Sequence, residues 1–184
     1  MSSSASGWSI RQARPDDFSA LGKLLVSAYA ALPGMPSPEA WPPYYAMLEN
    51  VAARAANPAF TLFVAADDNG QLLGSIDYID DMAQYGVGGT VATIADAAGI
   101  RLLAVDDACR GQGVGKALTN FCIEHARRTG KARIILHTTR IMQTAWTMYE
   151  RLGFVRFPEI DFQVENVDVF GFQLDLAETE GPLT

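Results

Sequence analysis

Residues Ile100 to Lys116 read I-R-L-L-A-V-D-D-A-C-R-G-Q-G-V-G-K, an apolar β-favouring run, a turn with glycine at 111, 113 and 115, and then a helical pattern. A strand that feeds a glycine-rich turn and a helix is suited to holding phosphate. The N–H groups of the first helical turn lack intrahelical partners, and the helix dipole places partial positive charge there. Glycines present no Cβ to an approaching ligand. Arg110 and Lys116 add cationic side chains at the two ends of the turn. Two common phosphate motifs fail by count. A P-loop, G-x-x-x-x-G-K-[ST], would need glycine where Arg110 stands and a hydroxyl where Ala117 stands. A dinucleotide fingerprint, G-x-G-x-x-G, ends on Lys116 or Leu118 instead of glycine. The pattern that fits is R-x-x-G-x-G, at Arg110, Gly113 and Gly115. Downstream, Ala145 to Phe154 reads A-W-T-M-Y-E-R-L-G-F and carries Tyr149. A phenol with a pKa near 10 is protonated at neutral pH and can act as a general acid. The same tyrosine could equally pack one helical face beside Ala145, Met148 and Leu152.

R-x-x-G-x-G in this setting resembles the pyrophosphate-binding signature of the GNAT acyltransferases, which use acyl-coenzyme A. Tyr149, Gly153 and Phe154 resemble the Y-x-x-x-G-F end of a GNAT helix whose tyrosine lies near the coenzyme sulfur. The resemblance covers roughly Ile100 to Phe157. It implies an acyl-CoA N-acyltransferase fold of the mixed α/β class. That fold is a mostly antiparallel sheet with one parallel, splayed strand pair, flanked by helices, with acyl-coenzyme A entering the gap. It implies that the backbone of Gly111, Gln112, Gly113, Val114, Gly115 and Lys116, with Arg110, holds the pyrophosphate. It further implies that Leu103, Ala104 and Val105 offer backbone groups to the pantetheine and the acyl carbonyl, that Ala145 lies on the helix beside the pantetheine, and that Tyr149 is the general acid. One position departs from the family. Many GNAT proteins carry asparagine three residues before the alanine matched by Ala145, and here Met142 stands there, with Thr138, Thr139 and Thr144 as the nearby polar side chains.

The elements that must position these groups follow from periodicity. Trp8 to Ala13 alternates as a strand. Pro15, Asp16 and Asp17 open a helix whose apolar face is Phe18, Leu21, Leu24, Leu25 and Ala28. Five prolines between Leu32 and Pro43 exclude regular structure, and a helical segment then runs to about Ala56. Phe60–Ala66 and Gln71–Ile79 form a hairpin about the D-D-N-G turn, and Thr90–Ile94 is a candidate short strand. A strand at Ile100–Val105 precedes a helix striped by Val114, Leu118, Phe121, Cys122 and Ala126, with Gly130 as its stop. Arg133–His137 is a core strand, residues 141–152 a helix, and Phe154–Phe157 and Val167–Leu176 late strands. One domain over 1–184 is expected, with flexible ends at 1–7 and 178–184.

The chain has 184 residues, 49% of them hydrophobic, which suits one compact core. There is no transmembrane-length apolar run and no secretory signal. Cys109 and Cys122 do not make a disulfide framework, so a reducing cytoplasm is the default. His125 and His137 have no Cys or Glu at ligand spacing, so no metal is expected, and no G-x-S-x-G supports a hydrolase. The net charge of −7 argues against nucleic acid. Arg101 to Arg156 holds ten Lys/Arg against four Asp/Glu, while the rest holds four against seventeen. This split fits an anionic coenzyme on one side of a cleft and a cationic acceptor on the other, or merely clustering on solvated faces. No general base is visible in Ile100–Val105; Asp77, Asp80, Asp81 and Asp161 qualify only if they face the cleft, and otherwise sit in solvated loops.

The resulting expectation is a cytoplasmic N-acetyltransferase. It would transfer acetyl from acetyl-CoA to a primary amine of a small, cationic acceptor by direct attack in a ternary complex, with no nucleic-acid or membrane partner. Two alternatives stand beside it: a non-catalytic acyl-CoA sensing module, and an acetyltransferase of protein N-termini or lysines. A homodimer through the late strands is compatible with the sequence.

Overall fold

The computed structural model describes residues 7–87 and 89–176. The flexible ends expected at 1–7 and 178–184 lie outside the described residues, except for Gly7. Strands β1 (Trp8–Gln12), β2 (Phe60–Asp67), β3 (Leu72–Ile79), β4 (Ala97–Val105), β5 (Arg133–Thr138), β6 (Val155–Arg156), β7 (Phe162–Val164) and β8 (Val167–Asp175) join in one sheet. Its order is β1-β2-β3-β4-β5-β8-β6, with β7 paired to β8. Among the described residues only β4 and β5 run parallel. Their crossover is the helix α4 (Val114–Arg128), as a parallel step requires.

Two helical layers cover the sheet. Helices α1 (Phe18–Ala30), α2 (Pro42–Glu49) and α3 (Val51–Ala55) bury Leu21, Leu25, Leu48 and Val51 against Leu62, Val64, Leu102 and Ala104. Helices α4 and α5 (Gln143–Arg151) bury Leu118, Cys122, Trp146 and Tyr149 against Phe63, Ile76, Ile100, Ile134 and Leu136. Alternation along each strand sends successive residues to opposite layers. Pro42 and Pro43 occupy the first turn of α2, where their missing N–H groups cost nothing. Asn50 divides the segment expected as one helix to Ala56, ending α2 and capping α3 through the Ala53 amide at 3.3 Å.

Several elements differ from the sequence-based expectation. Thr90–Ile94 is no strand: Gly89–Thr93 forms a 3-10 turn, with Gly89 at φ 63° and the Thr93 hydroxyl donating to the Thr90 carbonyl at 2.8 Å. A hydroxyl that satisfies the local backbone competes with strand pairing. The strand β4 begins at Ala97, earlier than Ile100, because Ala97–Ile100 is the stretch that pairs with β5. The strand expected at Phe154–Phe157 shrinks to Val155–Arg156, since Pro158 opens a 3-10 turn. The hairpin β7–β8 was not anticipated; it turns at Glu165 (φ 45°) and Asn166 (φ 64°). Both cysteines are buried free thiols. Among the described residues no helix is long and apolar enough to cross a membrane.

Candidate active site

The gap that defines the site is made by β4. Its pairing with β5 stops at Ile100 opposite Leu136, and the strand then continues to Val105 without that partner. The cause is local. Leu102 adopts φ 51°, and the register against β3 slips between Ser75 and Asp77. A residue with left-handed φ inside a strand is a bulge that bends it and re-aims its neighbours. Leu102 and Ala104 therefore pack on the α1–α2 side, while Leu103 and Val105 join the α4–α5 side. The Leu103 carbonyl accepts from the Tyr29 hydroxyl at 3.4 Å.

The glycine turn closes one end of this gap. Gly111 (φ 76°) and Gly113 (φ 82°) are left-handed, and a Cβ at either would meet nothing within 4 Å, so both face open space. Gly113 is the N-cap of α4 and provides no side-chain cap, leaving the amides of the first turn free for a ligand. The Val114 side chain is buried, while those of Gln112 and Lys116 are exposed. Arg110 is exposed and pairs with Asp107 at 2.8 Å. A Cβ on Gly115 would stand 3.5 Å from Val105, 3.8 Å from Leu103 and 3.9 Å from the Met148 sulfur, so the turn, the free end of β4 and α5 converge there. Gly74 keeps this junction tight, since a Cβ on it would lie 2.7 Å from the Ala104 carbonyl oxygen.

The α5 residues expected at the site are placed together. Tyr149 is 6% exposed, its ring edge-on to Phe154 at 5.6 Å. Burial, then the nearby Tyr85 phenol, push its pKa above the ordinary 10, so it carries its proton at neutral pH. Ala145 and Met148 pack partly buried on the same face. Met142 turns to the α1–α2 cluster as an apolar contact. The hydroxyls of Thr138 and Thr139, where β5 has left β4, are buried and have no partner. Buried hydroxyls are normally satisfied, so an unpaired pair here suits a polar ligand such as the amide-rich pantetheine arm. Thr144 is exposed. The open glycine cradle and these two hydroxyls together fit a pantetheine diphosphate.

On the opposite side of β4 lie the aromatics of the proline-rich segment, which family resemblance puts over the acceptor site, together with groups that sequence reasoning did not assign to a site. Trp41 stacks on Tyr44 at 4.4 Å, and Tyr44 meets Tyr29 edge-on at 6.1 Å. Trp41 also lines a shallow cavity of about 410 Å³ with Pro36, Ala40, Pro42, Pro43 and Glu165. Burial pushes the Tyr44 phenol up to about 12. Further along, His137 Nδ1 lies 3.0 Å from the Tyr85 hydroxyl and Nε2 lies 2.9 Å from the Ile160 carbonyl. A carbonyl only accepts, so Nε2 carries the proton and Nδ1 accepts from Tyr85. Burial lowers the His137 pKa and keeps it neutral. Tyr29, Tyr85 and His137 are scattered along the chain, and no local spacing marks them.

The four candidate bases are all engaged. Asp77 is not the solvated residue expected: it is 1% exposed, is held by Arg54 Nε at 2.8 Å, and has its pKa raised by burial against the pull of Arg54 and Arg101. Asp80 pairs with Lys131 at 3.2 Å, and Asp81 caps a 3-10 turn through the Ala83 amide. Asp161 pairs with Arg156 at 2.6 Å and accepts from the Gly171 amide. No group of three metal-ligating side chains occurs among the described residues.

A splayed parallel strand pair beside a glycine cradle at a helix N-terminus defines an acyl-coenzyme A binding fold, and relatives bear this out. The profile of the acetyltransferase (GNAT) family matches residues 23–154. The chain belongs to that family. Human N-acetyltransferase 8B is 37% identical over 62 residues, 34% of this chain and 27% of that one. Mycothiol acetyltransferase of Geodermatophilus obscurus is 37% identical over 57 residues, 31% of this chain and 18% of that one. The matched stretch thus spans about a quarter or less of these curated relatives. Salmonella typhimurium yncA, solved with its cofactor acetyl-CoA, shares the fold with a TM-score of 0.64 at 21% identity, covering 96% of this chain and 98% of that one.

Proposed function

We propose that the protein is an N-acetyltransferase that moves the acetyl group of acetyl-CoA to a primary amine of a small acceptor, by direct attack in a ternary complex. The observation that carries this reading is the opening of β4 from β5 at Ile100 and Leu136, with the Gly111–Gly115 cradle at one end and Tyr149 on the flank. Acetyl-CoA supplies a thioester carbonyl activated toward amines. The amides of Gly111 to Lys116 hold its diphosphate, with Arg110 and Lys116 as cations. Leu103, Ala104 and Val105, unpaired toward β5, orient the pantetheine and the acyl oxygen through backbone groups, and Ala145 and the two buried threonines border the same arm. Tyr149 donates its proton to the sulfur as the carbon–sulfur bond breaks, and the amine proton passes to water. With all four candidate carboxylates engaged, the acceptor enters as the free amine. The cationic acceptor suggested by the charge split has little support at the cleft, where Asp77 and Asp161 are both paired. Two buried free thiols fit a reducing compartment such as the cytoplasm.

The test is calorimetric titration with acetyl-CoA, followed by an amine panel read by release of coenzyme thiol, on the native chain and on Tyr149→Phe. The expected result is amine-dependent release that falls roughly 100-fold in kcat in the variant while acetyl-CoA affinity holds. Binding without release on any amine would favour a sensing module, and an unchanged kcat would remove Tyr149 as the acid.

A further inference from the structure

Arg101 is a cation on β4 that the proposed chemistry leaves unused. It follows the parallel-paired end of β4 and immediately precedes the bulge at Leu102. Its cross-strand neighbour on β3 is Asp77. Asp77, however, is bound to Arg54, whose guanidinium also donates to the Met47 and Leu48 carbonyls and is itself almost buried. Asp77 feels two guanidinium groups but is bonded only to Arg54, so the cluster keeps one surplus positive charge. No carboxylate among the described residues lies within ion-pair distance of Arg101.

The side chain is nonetheless held in place. Nη1 donates to the Tyr85 carbonyl at 2.6 Å, and the guanidinium carbon sits 5.5 Å from the centre of the Tyr85 ring. Gly86, at φ 94°, makes room for it, since a Cβ there would stand 2.7 Å from Nη1. Tyr85 is fixed in turn through its hydroxyl, which donates to His137 Nδ1, and the Ile160 carbonyl holds the other side of that imidazole by accepting from Nε2. The Tyr85 ring lies over Gly99, where any Cβ would come within 2.4 Å. Arg101 is partly exposed, and none of its nitrogens is both buried and without a partner. Its remaining N–H donors therefore keep access to solvent and make no hydrogen bond among the described residues. A fixed, partly desolvated guanidinium with free donors and no counter-ion is a seat for a carboxylate.

We propose that Arg101 binds an anionic group carried by the acceptor close to its amine, so that the acceptor is a small amino-acid-like molecule. This rests on the acetyl-transfer reading and names the substrate class within it. Arg101 and Leu103 stand two steps apart in β4 with Leu102 between them, about 7 Å of strand rise, a span that a compact amine–carboxylate molecule can bridge. A carboxylate there balances the surplus charge of the cluster, and its amine is directed toward the opening of β4.

The experiment uses matched acceptor pairs, each L-amino acid against its own α-amide, with coenzyme thiol release as readout. The native chain is compared with Arg101→Met and Arg101→Lys, and calorimetric titration with acetyl-CoA monitors the folded state of each. The native chain is expected to prefer the free acid of its best acceptor over the amide by roughly 10- to 100-fold in kcat/KM, chiefly through KM. In Arg101→Met that ratio should collapse toward one, and Arg101→Lys should keep part of it. Equal use of acid and amide by the native chain would overturn the anchor while leaving acetyl transfer intact. So would a preference for the acid that survives in Arg101→Met. Thiol release with no amine at all would overturn the acetyl-transfer reading, and the anchor with it.

Discussion

Gly113 is the residue on which the coenzyme site turns. Its φ of 82° suits glycine and is tolerated by asparagine and aspartate, and its Cβ position is open. Gly113→Asn and Gly113→Asp should therefore both fold, at a cost of about 1 kcal/mol. Only the aspartate sets a negative charge at the start of α4, against a diphosphate. Gly113→Asp is expected to abolish acetyl-CoA binding in calorimetry while Gly113→Asn weakens it, and equal affinities would remove the turn as the diphosphate site. His137 makes a separate prediction. Burial lowers its pKa, so below about 6.5 the unfolded chain takes up a proton that the folded chain resists. Stability should thus fall as pH drops below about 6.5, and melting curves of His137→Gln should show a shallower fall, with His125, also lowered by burial, accounting for part of what remains. At this scale the sequence displayed the glycines and Tyr149, because each sits in a contiguous pattern. It hid Tyr29, Tyr85, Arg101 and His137, which come from four elements and meet only through the bulge in β4 and the loop after β3.

At the scale of elements, the pairing of Arg54 with Asp77 ties α3 to β3 beneath the acceptor side of the cleft. Removing one partner leaves the other charge buried. Arg54→Met and Asp77→Asn should each lose roughly 3–5 kcal/mol in urea unfolding, and the double variant should lose clearly less than the sum. Simple additivity would mean that the pair contributes no coupling. Gly74→Ala tests the junction of β3, β4 and α4. Its methyl meets the Ala104 carbonyl, a backbone atom that cannot rotate away, so a loss of about 1–3 kcal/mol and weaker acetyl-CoA binding are expected together. Helices α1 and α4 were legible because an apolar stripe at helical spacing has no other simple use. The strand reading of Thr90–Ile94 failed because its hydroxyl and glycine chemistry favoured a tight turn, and β7 was hidden by its shortness and its polar turn at Glu165 and Asn166.

For the whole molecule, the fold follows from a few long-range pairings that local patterns only outline. The sequence implied a parallel step between strands, but the place where the two strands part depends on the conformation of Leu102, which no residue type announced. Because the glycine turn, β4 and α5 belong to different parts of the chain, a ligand that bridges them should stabilise the whole. Acetyl-CoA at a hundred times its Kd is expected to add about 2.7 kcal/mol and to raise Tm by about 5–10 °C. Gly113→Asp should show no such rise.

The burial of both sulfur atoms has a practical consequence. Cys122 lies in the core of α4 and Cys109 beneath the turn, and burial raises the pKa of each. Neither offers a ready thiolate to reagents in solution. An aromatic disulfide dye mixed with the folded protein should stay colourless on the timescale of turnover, so product formation can be followed continuously without poisoning the catalyst. Once turnover has stopped, the slower phase of colour, from Cys122 after the less buried Cys109, becomes a clock for the opening of α4 from the sheet, read without denaturant.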